Sequence, residues 1–325
     1  MNIVGNDLRL LADIGGTNAR FALQNGAGRF DCIEVLACGG YATLSDAMRA
    51  YLGVAAARGF PVDVIRHAAI AIANPVEDDM VSMTNHHWSF SISALRVEHG
   101  LTTLLVVNDF AALAMALPYL QPGQRERIGG GVELAGRPIG LIGPGTGLGV
   151  SGVIPAGGGR WIALAGEGGH ASFSPANREE AAILDLLWDE FGHVSAERLL
   201  SGMGLELIHR ALSGQRLAAP EITRRALDES CADCRRTVEC FCAVLGSVAG
   251  NVALTLGATG GMYIGGGIVP RLGAMFTPSA FRRRFEDKGR LSAYLARIPT
   301  YLITEQYPAL FGVSAMLSAH IAGEQ

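Results

Sequence analysis

The sequence predicts an α/β fold in which a smaller domain is followed by a larger one. Two strand–turn–strand segments, at residues 10–23 and 139–153, carry turns rich in Gly and Thr. Residues 67–73 and 104–107 are continuous apolar segments, typical of strands buried on both faces of a sheet. Because 325 residues are enough for two domains, we place a boundary near Asp109, with residues 1–109 in the smaller domain and 110–308 in the larger.

Composition and charge restrict the class of protein. Hydrophobic residues make up 49% and charged residues 17% of the chain, which indicates a globular protein with a large core. A formal net charge of −4 gives no electrostatic reason to expect nucleic-acid binding. No apolar run approaches the roughly 20 residues of a membrane span, and residues 1–7 lack the basic and apolar regions of a signal peptide. We therefore expect a cytoplasmic protein without a membrane partner.

The first Gly-rich turn follows an apolar strand that ends close to an acidic residue. Gly15, Gly16 and Asn18 tolerate positive φ, which suits a tight turn. Backbone N–H groups in a turn without Cβ atoms approach a phosphate closely, and Asp13 is placed to face a metal ion on those phosphates. The alternative is a plain hairpin whose turn begins at Asp13. The phosphate-binding interpretation covers Ala12, Asp13, Ile14, Gly15, Gly16 and Thr17.

A second turn repeats this pattern between two further strands. Gly145, Thr146 and Gly147 form its centre, and Thr146 has the place that Thr17 has in the first turn. Two such hairpins can hold the two ends of a triphosphate chain. The segment is not a Walker loop, because G-x-x-x-x-G-K-[ST] is absent. It is not a dinucleotide fingerprint either, because the turn leads into a strand rather than a helix.

Several polar residues without an evident packing role stand at strand ends and in loops. Asn108 and Asp109 follow a buried strand at its C-terminal end, where ligands of α/β sheets collect. Glu167 and His170 lie in a Gly-rich loop, and Glu197 begins a helix. Taken singly, Glu197 is equally explained as an acid that complements a helix dipole, and His170 as an ordinary loop residue. Taken together, these carboxylate, amide and imidazole groups suit vicinal hydroxyls.

A third Gly turn, Gly265–Gly267, stands between a strand and a helix and suits a flat adenine ring lying against backbone. Its candidate nucleotide-binding residues are Gly266 and Gly267. With the three Gly turns and the Asn108–Asp109 pair in this order, the chain resembles the sugar kinase, actin and heat-shock ATPase superfamily. That resemblance implies a two-domain actin-like ATPase (ribonuclease H-like) fold with a cleft between a small and a large domain.

More narrowly, the chain resembles the proteobacterial branch of the bacterial ATP-dependent glucokinases. The matching segments span nearly the whole chain and are residues 13–20, 83–86, 108–110, 145–149, 166–170, 193–198, 230–231, 233–236 and 265–271. The resemblance implies phosphorylation of glucose at its 6-hydroxyl by ATP with Mg²⁺, the first step of glycolysis. It also implies a homodimer, and a C-terminal helix at about 309–325 that returns to the smaller domain.

The same resemblance implies roles for individual residues. Asp109 is expected to be the catalytic base, and Asp13 to hold Mg²⁺ through water. The groups expected to hold the glucose hydroxyls are Asn108, Asp109, Glu167, His170 and Glu197. The first two Gly turns are expected to hold the phosphates of ATP. The chain departs from the family at Ala12, where members often have Gly, and at Pro144, where some have Ala; neither change removes a catalytic group.

Cys231 and Cys234 have the spacing of a zinc-binding pair. The segment around them has a helical pattern and no His at ligand spacing, so we expect them to pack as small hydrophobic residues rather than bind zinc. The zinc-bearing kinases of the related repressor–kinase family carry a cysteine cluster soon after the active-site His. Here residues 171–175 follow His170 without a cysteine.

Two rival classes share the same scaffold. A sugar-responsive transcription regulator would need a helix-turn-helix, and the residues before Asp13 carry no pattern of a helix pair. An actin-like assembly ATPase would not need Glu167, His170 and Glu197. Elsewhere the patterns predict a loop at 121–136, a continuous helix at 196–212, a helix at 232–256 and a charged, solvent-exposed helix at 281–297.

Overall fold

The structure, a computed structural model, describes residues 8–26, 29–84 and 86–323. Residues 1–7, Asn85 of the matching segment 83–86, and residues 324–325 of the predicted C-terminal helix lie outside the described residues. The strands are β1 (Arg9–Ile14), β2 (Asn18–Gln24), β3 (Phe30–Ala37), β4 (His67–Ile72), β5 (Met80–Ser82), β6 (Ser89–Ser91), β7 (Thr103–Asn108), β8 (Arg125–Gly129), β9 (Ile139–Pro144), β10 (Leu148–Gly157), β11 (Arg160–Ala163), β12 (Gly261–Ile264) and β13 (Thr300–Ile303). The helices are α1 (Leu44–Ala57), α2 (Ile92–Glu98), α3 (Asp109–Ala116), α4 (Arg178–Trp188), α5 (Ala196–Leu199), α6 (Gly202–Ser213), α7 (Ala219–Leu227), α8 (Ala232–Leu256), α9 (Phe281–Glu286), α10 (Ser292–Ala296) and α11 (Pro308–Ile321).

The chain divides into two compact units. Unit 1 is Met1–Tyr119 with Gln306–Gln325, and unit 2 is Leu120–Glu305. Unit 1 thus extends beyond the boundary expected near Asp109, because α3 packs against α11 and both helices lie in this unit.

Unit 1 is built on a five-stranded sheet with the order β3-β2-β1-β4-β7. The hairpin of β1 and β2 continues antiparallel into β3, whereas β1, β4 and β7 run parallel. The parallel strands are apolar on both faces because each face is covered by helices. Leu44, Met48 and Tyr51 of α1 pack in the core on one face, and Leu310 and Val313 of α11 pack on the other.

The close approach of α11 to α3 depends on Gly312. A Cβ atom there would stand 1.7 Å from the carbonyl oxygen of Ala112, so only glycine permits this helix contact. The contact brings α11 into the helical layer that covers β1 and β4.

Unit 2 repeats the strand order of unit 1 in a six-stranded sheet, β11-β10-β9-β12-β13-β8. The strands β9, β10 and β11 form an antiparallel meander, and β9, β12 and β13 run parallel. Antiparallel β8 is added beside β13. The loop predicted at 121–136 is therefore wrong over residues 125–129, where a five-residue edge strand too short for a clear pattern pairs with β13.

The helices of unit 2 depart from the sequence expectation at two places. The helix predicted at 196–212 is broken after Leu199, because Ser201 caps a new helix by accepting the N–H of Gly204 at 3.1 Å. The segment 281–297 was expected to be one solvent-exposed helix, and this is wrong. The segment forms two short helices, α9 and α10, and Phe281 and Phe285 of α9 are fully buried against α8.

Glycines of α8 explain why the charged segment is buried. Cβ atoms at Gly246 and Gly250 would meet the carbonyl oxygens of Phe281 and Phe285 at 2.2 and 2.6 Å. The predicted bounds of α8 agree with the structure, and this helix is long and apolar enough to cross a membrane by length and composition. Its most apolar window is 67% buried inside the protein, as in the core helix of a folded domain.

Candidate active site

The first Gly turn joins β1 to β2 in unit 1. The hairpin pairs Ile14 with Ala19, and the N–H of Gly15 donates to the carbonyl of Asn18 at 3.0 Å. The N–H of Cys38 donates to the carbonyl of Thr17 at 2.9 Å, which ties the turn to the end of β3. Gly15 and Gly16 are half-buried and Thr17 is exposed, so the turn presents its backbone to solvent.

Asp13 stands beside this turn and opposite Arg20 in the strand register. Its Oδ2 accepts a hydrogen bond from Arg20 Nη1 at 3.1 Å, and the side chain is 21% exposed. Burial raises the pKa of Asp13, and the nearby Arg20 guanidinium offsets this only in part. A carboxylate that is costly to bury and still open to water fits a hydrated divalent cation, which would stabilise its charged form.

Ala12 and Ile14 are fully buried in the core of unit 1. Their side chains pack under the turn and do not reach its surface. Any contact that these two residues make with phosphate would therefore involve their backbone. Of the six candidates in this segment, Asp13, Gly15, Gly16 and Thr17 reach the surface.

The carboxyl ends of three neighbouring parallel strands carry the other polar candidates of unit 1. In the register of β1, β4 and β7, Ile14 pairs with Ile72, and Ile72 pairs with Asn108. Asn108 is the N-cap of α3, and its Oδ1 accepts the N–H groups of Phe110 and Ala111 at 2.9 and 3.0 Å. The first Gly turn and the Asn108–Asp109 pair therefore lie on the same edge of the sheet.

Asp109 occupies the first position of α3, where the helix N-terminus favours a negative charge. Its Oδ1 accepts the N–H of Phe110 at 2.8 Å and a long bond of 3.3 Å from Asn108 Nδ2. These contacts hold the carboxylate in a defined orientation at the strand end. The oxygen of Asn108 is engaged in helix capping, so in this structure Asn108 orients Asp109.

Asn74 is a residue of this edge that the sequence analysis did not select. Its carbonyl accepts a 3.4 Å bond from Asn108 Nδ2, and its Oδ1 accepts the N–H and hydroxyl of Thr84 at 3.0 and 2.8 Å. Asn74 therefore connects the segment that carries Thr84 to the residue that orients Asp109. Asn74 comes just after the buried strand β4, as Asn108 comes at the end of β7. This placement is the sequence feature by which Asn74 could have been selected.

The second Gly turn joins β9 to β10 in unit 2, with Pro144 paired to Leu148. The N–H of Gly145 donates to the carbonyl of Gly147 at 2.8 Å, and Thr146 is exposed. The carbonyl of Gly145 accepts the N–H of Gly202 at 3.0 Å, which anchors the turn to the start of α6.

Glu197 connects this turn to the polar loop. Its Oε2 accepts the N–H of Leu148 at 2.9 Å, immediately after the turn. Its Oε1 lies 3.9 Å from Nδ1 of His170, and Nε2 of His170 lies 4.0 Å from Oε2 of Glu167. Glu167 and His170 are mostly exposed, whereas Glu197 is 31% exposed. The three predicted residues thus form a row that starts at the backbone of the Gly turn.

Backbone pairing between two loops produces this row. Ser172 and Ser195 form an antiparallel bridge, and the N–H of Ala196 donates to the carbonyl of Ala171 at 2.9 Å. Gly169 lies so close to β10 that a Cβ atom would stand 2.0 Å from the carbonyl oxygen of Leu148. This contact presses the short helix Gly168–His170 onto the strand and brings His170 to Glu197.

The third Gly turn lies against the second. Gly266 has φ +77° and a Cβ atom there would stand 2.3 Å from the carbonyl oxygen of Pro144, so this position requires glycine. The N–H of Ile268 donates to the same carbonyl at 3.2 Å. Gly266 and Gly267 are exposed beside the second turn, and unit 2 therefore brings together two Gly turns and the three polar residues.

The cysteine pair, Cys231 and Cys234, lies elsewhere in unit 2, at the N-terminus of α8. Cys231 is the N-cap residue and Cys234 is fully buried. Among residues 8–26, 29–84 and 86–323, no cluster of three or more His, Cys, Asp or Glu side chains has the arrangement of a metal site.

Solved structures with the same architecture define the class of this protein. A glucokinase from an Antarctic psychrotroph is 36% identical and superposes with a TM-score of 0.85, over 96% of this chain and 99% of that chain. A ROK family glucokinase from Streptomyces griseus, solved in complex with glucose and AMPPNP, shares the fold at 17% identity with a TM-score of 0.62, over 95% of this chain and 99% of that chain. The chain has the two-domain actin-like ATPase fold and is a sugar kinase.

Sequence relatives narrow the class to one family. A family model described as Glucokinase matches residues 10–320. A curated glucokinase of Chromobacterium violaceum is 57% identical over 97% of this chain and 90% of its own length. The chain belongs to the glucokinase family. A relative from Burkholderia pseudomallei named "Bifunctional protein glk" is 55% identical over 97% of this chain, which spans 49% of that longer protein.

Proposed function

We propose that this enzyme transfers the γ-phosphoryl group of ATP to the 6-hydroxyl of glucose and releases glucose 6-phosphate and ADP. The observation that carries the proposal is the bond from Leu148 N–H to Glu197. It joins a turn of the phosphate-binding type to a row of side chains suited to sugar hydroxyls. Membership of the glucokinase family supports the same substrates.

The proposed sugar-binding groups are Asn108, Asp109, Glu167, His170 and Glu197. Carboxylates accept hydrogen bonds from hydroxyls, and an imidazole either donates or accepts, so Glu167, His170 and Glu197 can pair with adjacent hydroxyls. The proposed phosphate-binding groups are the backbone N–H groups and hydroxyls of the turns at Gly15–Thr17 and Gly145–Gly147, together with Gly266 and Gly267 beside the nucleotide base.

Asp109 is the proposed catalytic base. Its carboxylate is held at the start of α3 by Phe110 N–H and Asn108, so it accepts the proton of the attacking hydroxyl without first having to reorient. Phosphoryl transfer passes through a loose transition state, and catalysis consists mainly of positioning and charge stabilisation. A carboxylate of ordinary basicity suffices, because the proton leaves late when bond formation to phosphorus is weak.

Mg²⁺ is the proposed metal, held by Asp13 through water. Bound there, it would neutralise charge on the phosphates of ATP. The half-buried Asp13 carboxylate suits a cation, because burial raises its pKa and the Arg20 guanidinium offsets this only in part. We also propose a cytoplasmic homodimer that acts at the first step of glycolysis, as the family resemblance implies.

The test is ADP production from Mg-ATP with and without sugar, followed by kcat/KM for glucose, galactose and fructose. A sugar that lacks or inverts one hydroxyl leaves a carboxylate unpaired, which costs about 1–3 kcal/mol, or roughly tenfold or more in kcat/KM. We expect ADP only when sugar is present and a clear preference for glucose. Equal turnover of the three sugars, or equal ADP without sugar, would refute the proposal.

A further inference from the structure

The N-terminus of α8 brings two thiols together. Cys231 is the N-cap residue, and its Sγ accepts the N–H of Cys234 at 3.4 Å. Because the N-cap and third helical positions face each other across the first turn, the two side chains lie on the same side of the helix end. A C-x-x-C pair at a helix N-terminus is the arrangement of dithiols that exchange with disulfides.

The two thiols differ in exposure and in acidity. Cys231 is half-buried, and the intervening Ala232 and Asp233 are exposed, so Cys231 is reached from solvent. Hydrogen bonds from the Cys234 side chain and backbone lower the pKa of Cys231. Burial, followed by the interaction with Cys231, raises the pKa of Cys234 to about 12. Cys231 is therefore accessible and more acidic than an ordinary cysteine, and Cys234 stays protonated behind it.

The other cysteines do not combine these properties. Cys38, Cys240 and Cys242 are buried, and burial raises the pKa of each. Cys32 is half-buried like Cys231, and Arg58 Nη1 lies 3.6 Å from its Sγ. Cys32 is therefore the appropriate cysteine to compare with Cys231. Cys32 is partly accessible, but no second cysteine stands three residues away from it.

We propose that the cysteine pair is a thiol–disulfide exchange site that reacts with small disulfides of the glutathione type. The Cys231 thiolate attacks one sulfur of oxidised glutathione, and the S–S bond of glutathione breaks. One glutathione leaves as a thiolate and takes up a proton, while the other stays on Cys231 as a mixed disulfide.

The second step closes the protein disulfide. Cys234 loses its proton and attacks the Sγ atom of Cys231, and the second glutathione leaves and takes up that proton. The two cysteine thiols are oxidised to one disulfide, and one glutathione disulfide is reduced to two thiols, so no further reactant is needed. In a reducing compartment this bond is transient, because thiols restore the pair.

The test uses the intact, reduced protein in its native state. It is incubated with oxidised glutathione, quenched with acid, alkylated and digested with trypsin, and the peptides are identified by mass. Residues 226–235 form one tryptic peptide that contains both cysteines of the pair and no other. We expect this peptide to lose two hydrogen atoms and to escape alkylation, and dithiothreitol to reverse the change.

Single substitutions separate the two roles. Cys234→Ser should accumulate a stable glutathione adduct on Cys231, because the resolving thiol is gone. Cys231→Ser should leave Cys234 unmodified in the native protein. Cys32→Ser is the control and should form the disulfide as the unsubstituted protein does.

Alkylation rates provide a test that needs no variant. In the native reduced protein, Cys231 should react at least about tenfold faster than Cys240, because Cys231 is more accessible and its pKa is lowered whereas that of Cys240 is raised. The proposal is overturned if Cys32 takes up glutathione while the 226–235 peptide stays reduced. It is also overturned if Cys231 reacts only after denaturation, or if Cys234→Ser folds and forms no adduct.

Discussion

Gly147 gives the sharpest test of the contact between the second Gly turn and Glu197. A Cβ atom at Gly147 would stand 2.4 Å from Oε2 and 3.2 Å from Cδ of Glu197. Gly147→Ala therefore forces the carboxylate away from the turn and breaks its 2.9 Å bond with Leu148 N–H. The displaced carboxylate also loses its position beside His170. We expect a change in a phosphate-type turn to weaken glucose binding.

The magnitude follows from the hydrogen bond that the displaced Glu197 carboxylate would no longer make with a glucose hydroxyl. Hydrogen bonds to charged groups contribute about 1.5–3 kcal/mol. Glu197 is 31% exposed, so water compensates part of the loss and the lower end applies. A loss of about 1.5 kcal/mol corresponds to roughly a tenfold weaker equilibrium constant. We therefore expect the Kd for glucose to rise about tenfold.

The assay is glucose binding by calorimetry without nucleotide, so that an effect on phosphate contacts does not enter the result. Gly145→Ala is the matched control in the same turn. A Cβ atom there has Gly147 O as its nearest contact at 4.0 Å, which is ordinary van der Waals distance, and its glucose Kd should stay unchanged. An unchanged glucose Kd in Gly147→Ala, or an equal loss in both variants, would refute the reasoning.

Four further predictions test individual groups. Asp109→Asn keeps the size of the side chain and removes the proton-accepting carboxylate, so kcat should fall about 10²–10⁴-fold. The Kd for glucose should stay nearly unchanged, and a kcat above about a third of the original would contradict the assignment. Burial raises the folded pKa of Asp13, so its ionisation costs stability as the pH rises through that pKa. Asp13→Asn should therefore raise the Tm of the ligand-free protein at pH 7 while weakening Mg-ATP binding, and a lower Tm would show that the sign is wrong. Glu180→Ala should lower the free energy of unfolding by about 3–5 kcal/mol, because the buried Arg284, which Glu180 contacts at 2.7 Å, loses its carboxylate partner. Arg224→Ala removes an exposed ion pair and should lower the free energy of unfolding far less. Metal analysis of the purified protein should find no stoichiometric zinc, and one tightly held zinc per chain, removed only with loss of structure, would contradict our view of the cysteine pair.

Local patterns predicted the elements whose causes are local. The two strand–turn–strand hairpins follow from turn residues between apolar segments, and the structure confirms both. The long apolar pattern predicted a helix with the bounds Ala232–Leu256, and the structure confirms these bounds for α8. The α/β class and the family resemblance are also confirmed. The roles assigned to single site residues stay predictions.

Patterns failed where distant parts of the chain decided the outcome. The segment 281–297 is rich in charge, yet Arg284 is buried because Glu180, more than a hundred residues earlier, and Ser247 bind its guanidinium. The strand β8 exists because β13 pairs with it. The local sequence around Arg284 does not indicate Glu180 or Ser247, and the sequence of β8 does not indicate β13.

Turn chemistry and periodicity act over a few neighbouring residues, so the amino-acid sequence alone is enough to locate the Gly turns and the polar residues. How those residues are connected depends on contacts between distant parts of the chain. The bond from Leu148 to Glu197 spans 49 residues of chain, and Asn74 reaches Asn108 across neighbouring strands. Gly147 leaves room for the Glu197 carboxylate, which lies in the space that a Cβ atom at this position would fill. Such contacts arise from packing in three dimensions, and the spacing of residues along the chain does not contain them.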